Sequence, residues 1–269
     1  MKKRKSRGRH DRLKNRLIRQ YVTIHLKDGW SPEQISGRIQ LDLKQSISHE
    51  AIYQFIYAQV YRDGYGYLKP EAEDLRTYLR RRRKRRIKKG LRTCQKLPKH
   101  GGISIDQRPE IVAQRKRIGD WEGDTVESKD HKPGLNTLVE RKTGLVCMTK
   151  LVNRTNAATV SVIEQRFNQL PKNTKHTLTL DNGFENQDWQ GIESKTGVKC
   201  FYAHAYHSWE RGSNENTNGL IREYFPKGTD FTSIPKEQIA AVEHRLNTRP
   251  RKRLKYLTSL EVFSVALQS

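Results

Sequence analysis

The sequence predicts an α/β domain with a mixed sheet and flanking helices, preceded by a small all-α domain and a basic linker. Three observations carry this expectation. Positive charge is concentrated at one end: residues 1–118 hold 32 of the 53 Lys and Arg but only 11 of the 29 Asp and Glu. Two short apolar-striped segments between residues 31 and 57 each follow a serine placed to cap a helix. From Gly119 onward, short runs of β-type residues alternate with helical ones, the pattern of an α/β chain.

The elements follow in order. Residues 1–20 form a basic arm, and a first helix is expected to start near Asp11, with Leu13, Leu17 and Ile18 on one side. In DGWSPEQISGRIQ, Ser31 caps, Pro32 suits the first helical position and Gln34 completes a capping box, which predicts a helix from Pro32 to about Leu41 with Ile35 and Ile39 inward. Ser48 caps the next helix, whose stripe is Ile52, Phe55 and Ile56. Two such helices within residues 21–60 read as a helix-turn-helix, its second helix entering a DNA major groove with His49, Glu50, Tyr53 and Gln54 in front. Residues 61–110 form the linker. Its run LRRRRKRRIKKGLR, with Arg81, Arg82, Arg83, Arg85 and Arg86, carries more charge of one sign than a folded surface tolerates without a polyanion.

Residues 111–269 are expected to form the α/β domain. Strands are predicted at Asp120–Ser128, Thr137–Arg141 and Val146–Val152, a helix at Ala157–Leu170, a strand at His176–Leu180, a helix at Asn186–Lys195 and a strand at Val198–Ala203. Three strands, helix, strand, helix, strand is the order of an RNase H-like domain. Helices at Asn214–Tyr224, Lys236–Asn247 and Ser259–Leu267 close it. Trp121, Trp189 and Trp209 read as core or loop anchors.

Composition narrows the function classes. A net charge of +24 makes a polyanion the default partner. No run of 18 apolar residues occurs, and the start MKKRKSRGRHDR has no apolar stretch behind its charges, so neither a membrane span nor a secretory signal is expected. Cys94, Cys147 and Cys200 are far apart and form no CxxC pair, which supports neither a cysteine zinc module nor a disulfide framework and fits a reducing cytoplasm; a cytoplasmic, nucleoid-associated protein is expected.

Candidate chemistry lies with three acids. Asp181 leaves the strand of LTLDNGFE, Asp124 lies in the strand of GDWEGDTVES, and Glu215 opens the helix of RGSNENTNGLIREYF. If the first and fourth strands are adjacent and parallel, Asp124 and Asp181 converge at the strand ends, where α/β sheets bind ligands, and Glu215 completes the cluster. Three clustered acids require cations between them, and hard oxygen ligands with room for water select Mg²⁺ or Mn²⁺. Two such ions suit in-line phosphoryl displacement. Asp120 and Glu122 share a strand face with Asp124, so periodicity alone does not choose among them. Asp124 is favoured as nearest the strand centre, and Glu122 is the reserve. Arg222, two helical turns after Glu215, is placed to grip a DNA phosphate.

At these residues the chain resembles the bacterial DDE transposases of insertion-sequence family thirty, in the retroviral-integrase superfamily. The resemblance runs through WSPEQISGRI, SHEAIYQFIY, GDWEGDTV, TLVERKTGLV, LTLDNGFE and HSWERGSNENTNGLIREYFPKGTDF, about residues 28 to 250. It implies an RNase H-like core, catalytic carboxylates at Asp124, Asp181 and Glu215, and a basic position at Arg222. The implied activity is metal-dependent strand cleavage and strand transfer at element ends. The implied partners are double-stranded DNA, as terminal repeats and target, and further copies of the chain assembled on it. The family's usual first helix-turn-helix is expected to be missing, with only about 30 residues ahead of WSPEQI. A non-catalytic DNA-binding regulator derived from such an enzyme is the alternative.

Overall fold

The computed structural model describes residues 13, 15–60, 67–69, 72–79, 101–204 and 207–268, at 208 and 209 for the backbone only. Residues 1–12 of the basic arm, Asp11 among them, the arginines of the cationic run (Arg81, Arg82, Arg83, Arg85 and Arg86), Cys94 and the Trp209 side chain lie outside the described residues, whereas the arm from Arg16 onward belongs to the first helix. The chain divides into two compact units, Met1–Leu91 with Arg249–Thr258, and Arg92–Thr248 with Ser259–Ser269. Among the described residues no helix is long and apolar enough to cross a membrane.

The first unit is helical. Helix α1 spans Arg16–Lys27, α2 Pro32–Leu43 and α3 His49–Ala58. The capping box forms as the sequence predicts: the Ser31 hydroxyl accepts from the Gln34 amide, and the Gln34 side chain accepts from the Ser31 amide. Ser48 caps α3 through the Ala51 amide. The start of α1 differs from expectation. Asn15 is the cap, its side chain accepting from the amides of Leu17 and Ile18, and this phase turns Leu17 to solvent and Val22 and Leu26 inward. Leu13 is buried ahead of the helix, its carbonyl accepting from the Arg19 guanidinium. Val22, Leu26, Trp30, Ile35, Ile52, Phe55 and Ile56 make the core. Residues 249–258 return to this unit. The Gln34 amide donates to the Pro250 carbonyl and Arg38 to that of Tyr256, and a Cβ on Gly37 would lie 2.3 Å from the Tyr256 ring, so only glycine lets that ring rest on α2.

The second unit opens with a short helix α4 (Glu110–Gln114), then strands β1 (Asp120–Val126), β2 (Leu135–Glu140) and β3 (Val146–Lys150). Helix α5 (Asn156–Asn168), β4 (Thr177–Leu180), α6 (Trp189–Thr196) and β5 (Lys199–Tyr202) follow, then α7 (Gly212–Tyr224), α8 (Lys236–Asn247) and α9 (Ser259–Gln268). The strands stand in the order β3-β2-β1-β4-β5, the first three antiparallel and β4 and β5 parallel to β1. This is the RNase H-like arrangement. Every predicted strand and helix of this unit forms, with ends shifted by a few residues. Helix α6 starts at Trp189 rather than Asn186 because Phe184–Asn186 makes a separate 3₁₀ turn and Asp188 caps the helix.

Alternation divides the sheet into two faces. On one, Trp121, Leu138, Leu178, Leu180 and Cys200 pack with Ile163 and Phe167 of α5, Ile192 of α6 and Phe263 of α9, and Trp189 is partly buried against them. On the other, Val126, Leu135, Val139, Val146 and Met148 pack with Leu220 and Ile221 of α7 and Ile239, Val242 and Leu246 of α8. Cys147 and Cys200 are free thiols, half-buried and buried. Asn247, at the end of α8, clamps the edge strand: its Oδ1 accepts the Val146 amide at 2.8 Å and its Nδ2 donates to the Val146 carbonyl at 2.7 Å. Asn247→Ala leaves both backbone groups unpaired and is expected to lower stability by about 1–3 kcal/mol. Urea unfolding measures it, and an unmoved midpoint contradicts the clamp.

Candidate active site

Asp120, Glu122 and Asp124 alternate along β1 on the face covered by α7 and α8, and their surroundings differ. Asp120 is buried, bound by the Arg117 guanidinium at 2.9 Å and by the Thr177 hydroxyl at 2.8 Å. Glu122 is fully buried, paired with Arg141 through one oxygen and accepting the Asn214 amide at 3.0 Å through the other. These two acids are neutralised inside the fold. Asp124 lies further toward the carboxyl end of the strand, half-buried, with its side chain 20% exposed.

Parallel pairing sets Glu122 beside Thr179, and the same register carried two residues further brings Asp124 beside Asp181. Gly123 allows the approach, since a Cβ there would lie 2.7 Å from Leu180 Cδ2. Asp181 Oδ1 accepts the Gly183 amide at 2.9 Å and the Asn186 side chain at 2.7 Å, which fixes the carboxylate in the turn after β4. Asn182 ties that turn to the Ala203 carbonyl, and the Tyr202 hydroxyl donates to the carbonyl of Asn186. Asp124 Oδ1 accepts the Thr125 amide at 2.9 Å, and Oδ2 accepts Nδ2 of Asn218, on α7, at 2.6 Å.

Between the two carboxylates lies the Arg211 guanidinium, 3.4 Å from Asp124 Oδ1 and 3.2 Å from Asp181 Oδ2, with a further contact to the Gly123 carbonyl. Burial raises the Asp124 carboxyl to about 6, and repulsion from Asp181 adds to the shift, while Arg211 opposes it. One arginine shared by two acids leaves net negative charge. Close by, the Asn218 Oδ1 and both side-chain polar atoms of Asn214 are buried without a hydrogen-bond partner among the described residues. Unpaired polar atoms of this kind mark places where water, an ion or a ligand group completes the structure.

Glu215 is exposed in the first turn of α7, one residue after Asn214 and three before Asn218. Arg222 gives its guanidinium donors to the carbonyls of Glu127 at 2.8 Å and Pro226 at 3.3 Å, so it braces the end of α7 against the exit of β1. On α3, His49, Glu50 and Gln54 are exposed and Tyr53 is half-buried. Arg211 and Asn218 escaped the sequence reading. The signal available was their position in WERGSNENTN, around the helix that carries Glu215.

Glu122 and Asp124 differ in what their loss does. Glu122→Gln strands the buried Arg141 charge and is expected to cost about 3–5 kcal/mol of stability. The Asp124 carboxyl, raised from 3.8 to about 6, contributes stability that is complete below its unfolded value and lost as pH rises through about 6. Asp124→Asn removes that loss, so above pH 6 the metal-free variant should match or exceed the parent, by roughly 1–3 kcal/mol. Thermal melts of both variants across pH check this, and a large destabilisation by Asp124→Asn at pH 7 contradicts it.

No family model matches the chain. Curated relatives do. The chain is 42% identical over 246 residues to the transposase for insertion sequence element IS4351 of Bacteroides fragilis, covering 91% of this chain and 72% of that protein. It is 32% identical over 252 residues to transposase InsI for insertion sequence element IS30A of Escherichia coli, covering 92% of this chain and 64% of that one. Among solved structures, the catalytic core domain of BIV integrase aligns with 54% of this chain and 93% of its own length, at 16% identity and a TM-score of 0.43. The relative at 42% identity matches nine tenths of this chain and 72% of its own length, and on that ground the chain belongs to the DDE transposases of bacterial insertion sequences, in insertion-sequence family thirty.

Proposed function

We propose that the chain cuts DNA at the ends of an insertion sequence and joins the freed 3′-hydroxyl to a target strand, with Asp124, Asp181 and Glu215 as the catalytic, metal-holding carboxylates. The observation that carries this reading is the arginine between Asp124 and Asp181: a cation already stands where the two acids meet. The donor set fits Mg²⁺ or Mn²⁺, being made of carboxylate and carboxamide oxygens, partly open to water. Two ions bound there would supply activation of an attacking oxygen and stabilisation of a leaving one in an in-line displacement.

The chain's own residues prepare that site. Asn218 and the Thr125 amide orient Asp124; Asn186 and the Gly183 amide orient Asp181. This leaves Asp181 Oδ2 toward the shared space, where Arg211 reaches it. Glu215, one helical turn before Asn218, is the third acid on α7. The role assigned to α3 is to read a DNA groove with His49, Glu50, Tyr53 and Gln54, while Arg81, Arg82, Arg83, Arg85 and Arg86 neutralise phosphates without regard to sequence. Arg222 is left with a phosphate contact only through donors beyond its two carbonyl bonds. The protein would act in the bacterial cytoplasm, as several copies assembled on DNA.

Incubation with flanking element DNA in Mg²⁺, read on a denaturing gel, tests the activity. Asp181→Asn and Asp124→Asn should abolish cleavage and leave DNA affinity nearly unchanged, and cleavage at the parent rate would dismiss the assignment. Arg211→Gln should tighten Mn²⁺ binding about tenfold by calorimetry, since a competing cation has been removed. Unchanged affinity would mean that Arg211 does not hold the ion's place.

A further inference from the structure

A second convergence of metal-ligating side chains lies just ahead of α7. His204 follows β5, and His207 and Glu210 come three and six residues later. Two backbone hydrogen bonds tie them, the His207 amide donating to the His204 carbonyl at 3.2 Å and the Glu210 amide to that of His207 at 3.1 Å. The side chains converge. His204 Nδ1 is 2.8 Å from Glu210 Oε1, and His207 Nδ1 is 3.4 Å from the same oxygen. All three ligand atoms lie within 4.8 Å of one another.

Each of two ligands is also held from behind. His204 Nε2 is 3.0 Å from Asp106 Oδ2, and Glu210 Oε2 accepts the His204 backbone amide at 2.8 Å. Asp106 is itself fixed, accepting the Ser104 hydroxyl at 2.7 Å, in a segment that bridges to Tyr202 of β5. A histidine whose far nitrogen meets a carboxylate, while its near nitrogen faces a shared point, is the arrangement that orients imidazole toward a metal. Ligands about 2.0–2.2 Å from a zinc-type ion stand roughly 2.8–3.6 Å apart at octahedral or tetrahedral angles, and the two edges that Glu210 makes, 2.8 and 3.4 Å, fall in that range.

We propose that His204, His207 and Glu210 form a binding site for a zinc-type divalent ion, supported by Asp106 and separate from the carboxylates of β1 and β4. Two imidazoles and one carboxylate select Zn²⁺, Co²⁺ or a similar borderline ion over Mg²⁺. The side chains of His204 and His207 are 40% and 44% exposed, which leaves room for water to complete the shell. The site's position suggests what it does. Glu210 immediately precedes Arg211, so an ion there would fix the turn from which Arg211 reaches Asp124 and Asp181. The rival occupant is a proton: hydrogen bonding to Glu210, and then to Asp106, raises His204 above its ordinary range, and an imidazolium would satisfy both acids without a metal.

The test uses the full chain, stripped with chelator and titrated with Zn²⁺ by calorimetry and with Co²⁺ by visible absorption. The expected result is one ion per chain with imidazole-type Co²⁺ absorption, retained in the Asp124→Asn/Asp181→Asn double variant. Affinity should fall at least about a hundredfold in His204→Ala/His207→Ala and about 10–100-fold in Asp106→Asn. Circular dichroism verifies that the variants fold, and should the double variant melt early, His207→Ala alone gives the same reading. Absence of stoichiometric binding, binding indifferent to the histidines, or binding lost with Asp124 and Asp181 instead would overturn the proposal.

Discussion

The parallel register of β1 and β4 is the constraint on which the candidate site depends. Pairing Glu122 with Thr179 brings Asp124, within β1, toward Asp181, the residue after β4, and both reach the same arginine. Two carboxylates there repel each other in a half-buried setting, and the neighbouring structure answers that repulsion. Arg211 enters between them, Asn218 and Asn186 donate to one oxygen each, and Asp124 still holds its proton well above the ordinary carboxylate range because burial dominates. Further back along β1 the problem does not arise. Asp120 has Arg117, Glu122 has Arg141, and both are closed off from water.

That contrast explains which parts of the site were legible in the sequence. Period-two alternation put Asp120, Glu122 and Asp124 on one face but could not rank them, because rank depends on Arg141, 19 residues away on the far side of β2. The element order, the capping box at Ser31 and the cap at Ser48 were readable because each rests on contacts within a few residues. The start of α1 was less so: Asn15 and Asp11 are both acceptable caps, and only burial of Val22 and Leu26 decides the phase. The only local signal for Arg211 is its place just ahead of the helix that carries Glu215; nothing else distinguishes it from other arginines of a basic chain. The return of residues 249–258 to the helical unit was equally hidden, resting on contacts such as Gln34 with Pro250, 216 residues apart.

Charge and chemistry are divided along the chain. Most of the cationic surplus lies before residue 119, with the helical unit, whereas the acids that converge lie after it in a segment close to neutral. A site that gathers negative charge gains from a cationic surplus placed elsewhere in the sequence, because arginines packed against the acids would compete with any bound cation for the same carboxylates. Arg211 is the exception. It is a single cation, 15% exposed, at the place where the proposed ion would stand.

The most direct test of the account is an anomalous difference map from crystals of the full chain soaked in Mn²⁺. The account predicts a peak against the carboxylates of Asp124 and Asp181, with the Arg211 guanidinium withdrawn from between them. A map in which Arg211 keeps both contacts, while Mn²⁺ sits elsewhere or nowhere, would contradict it.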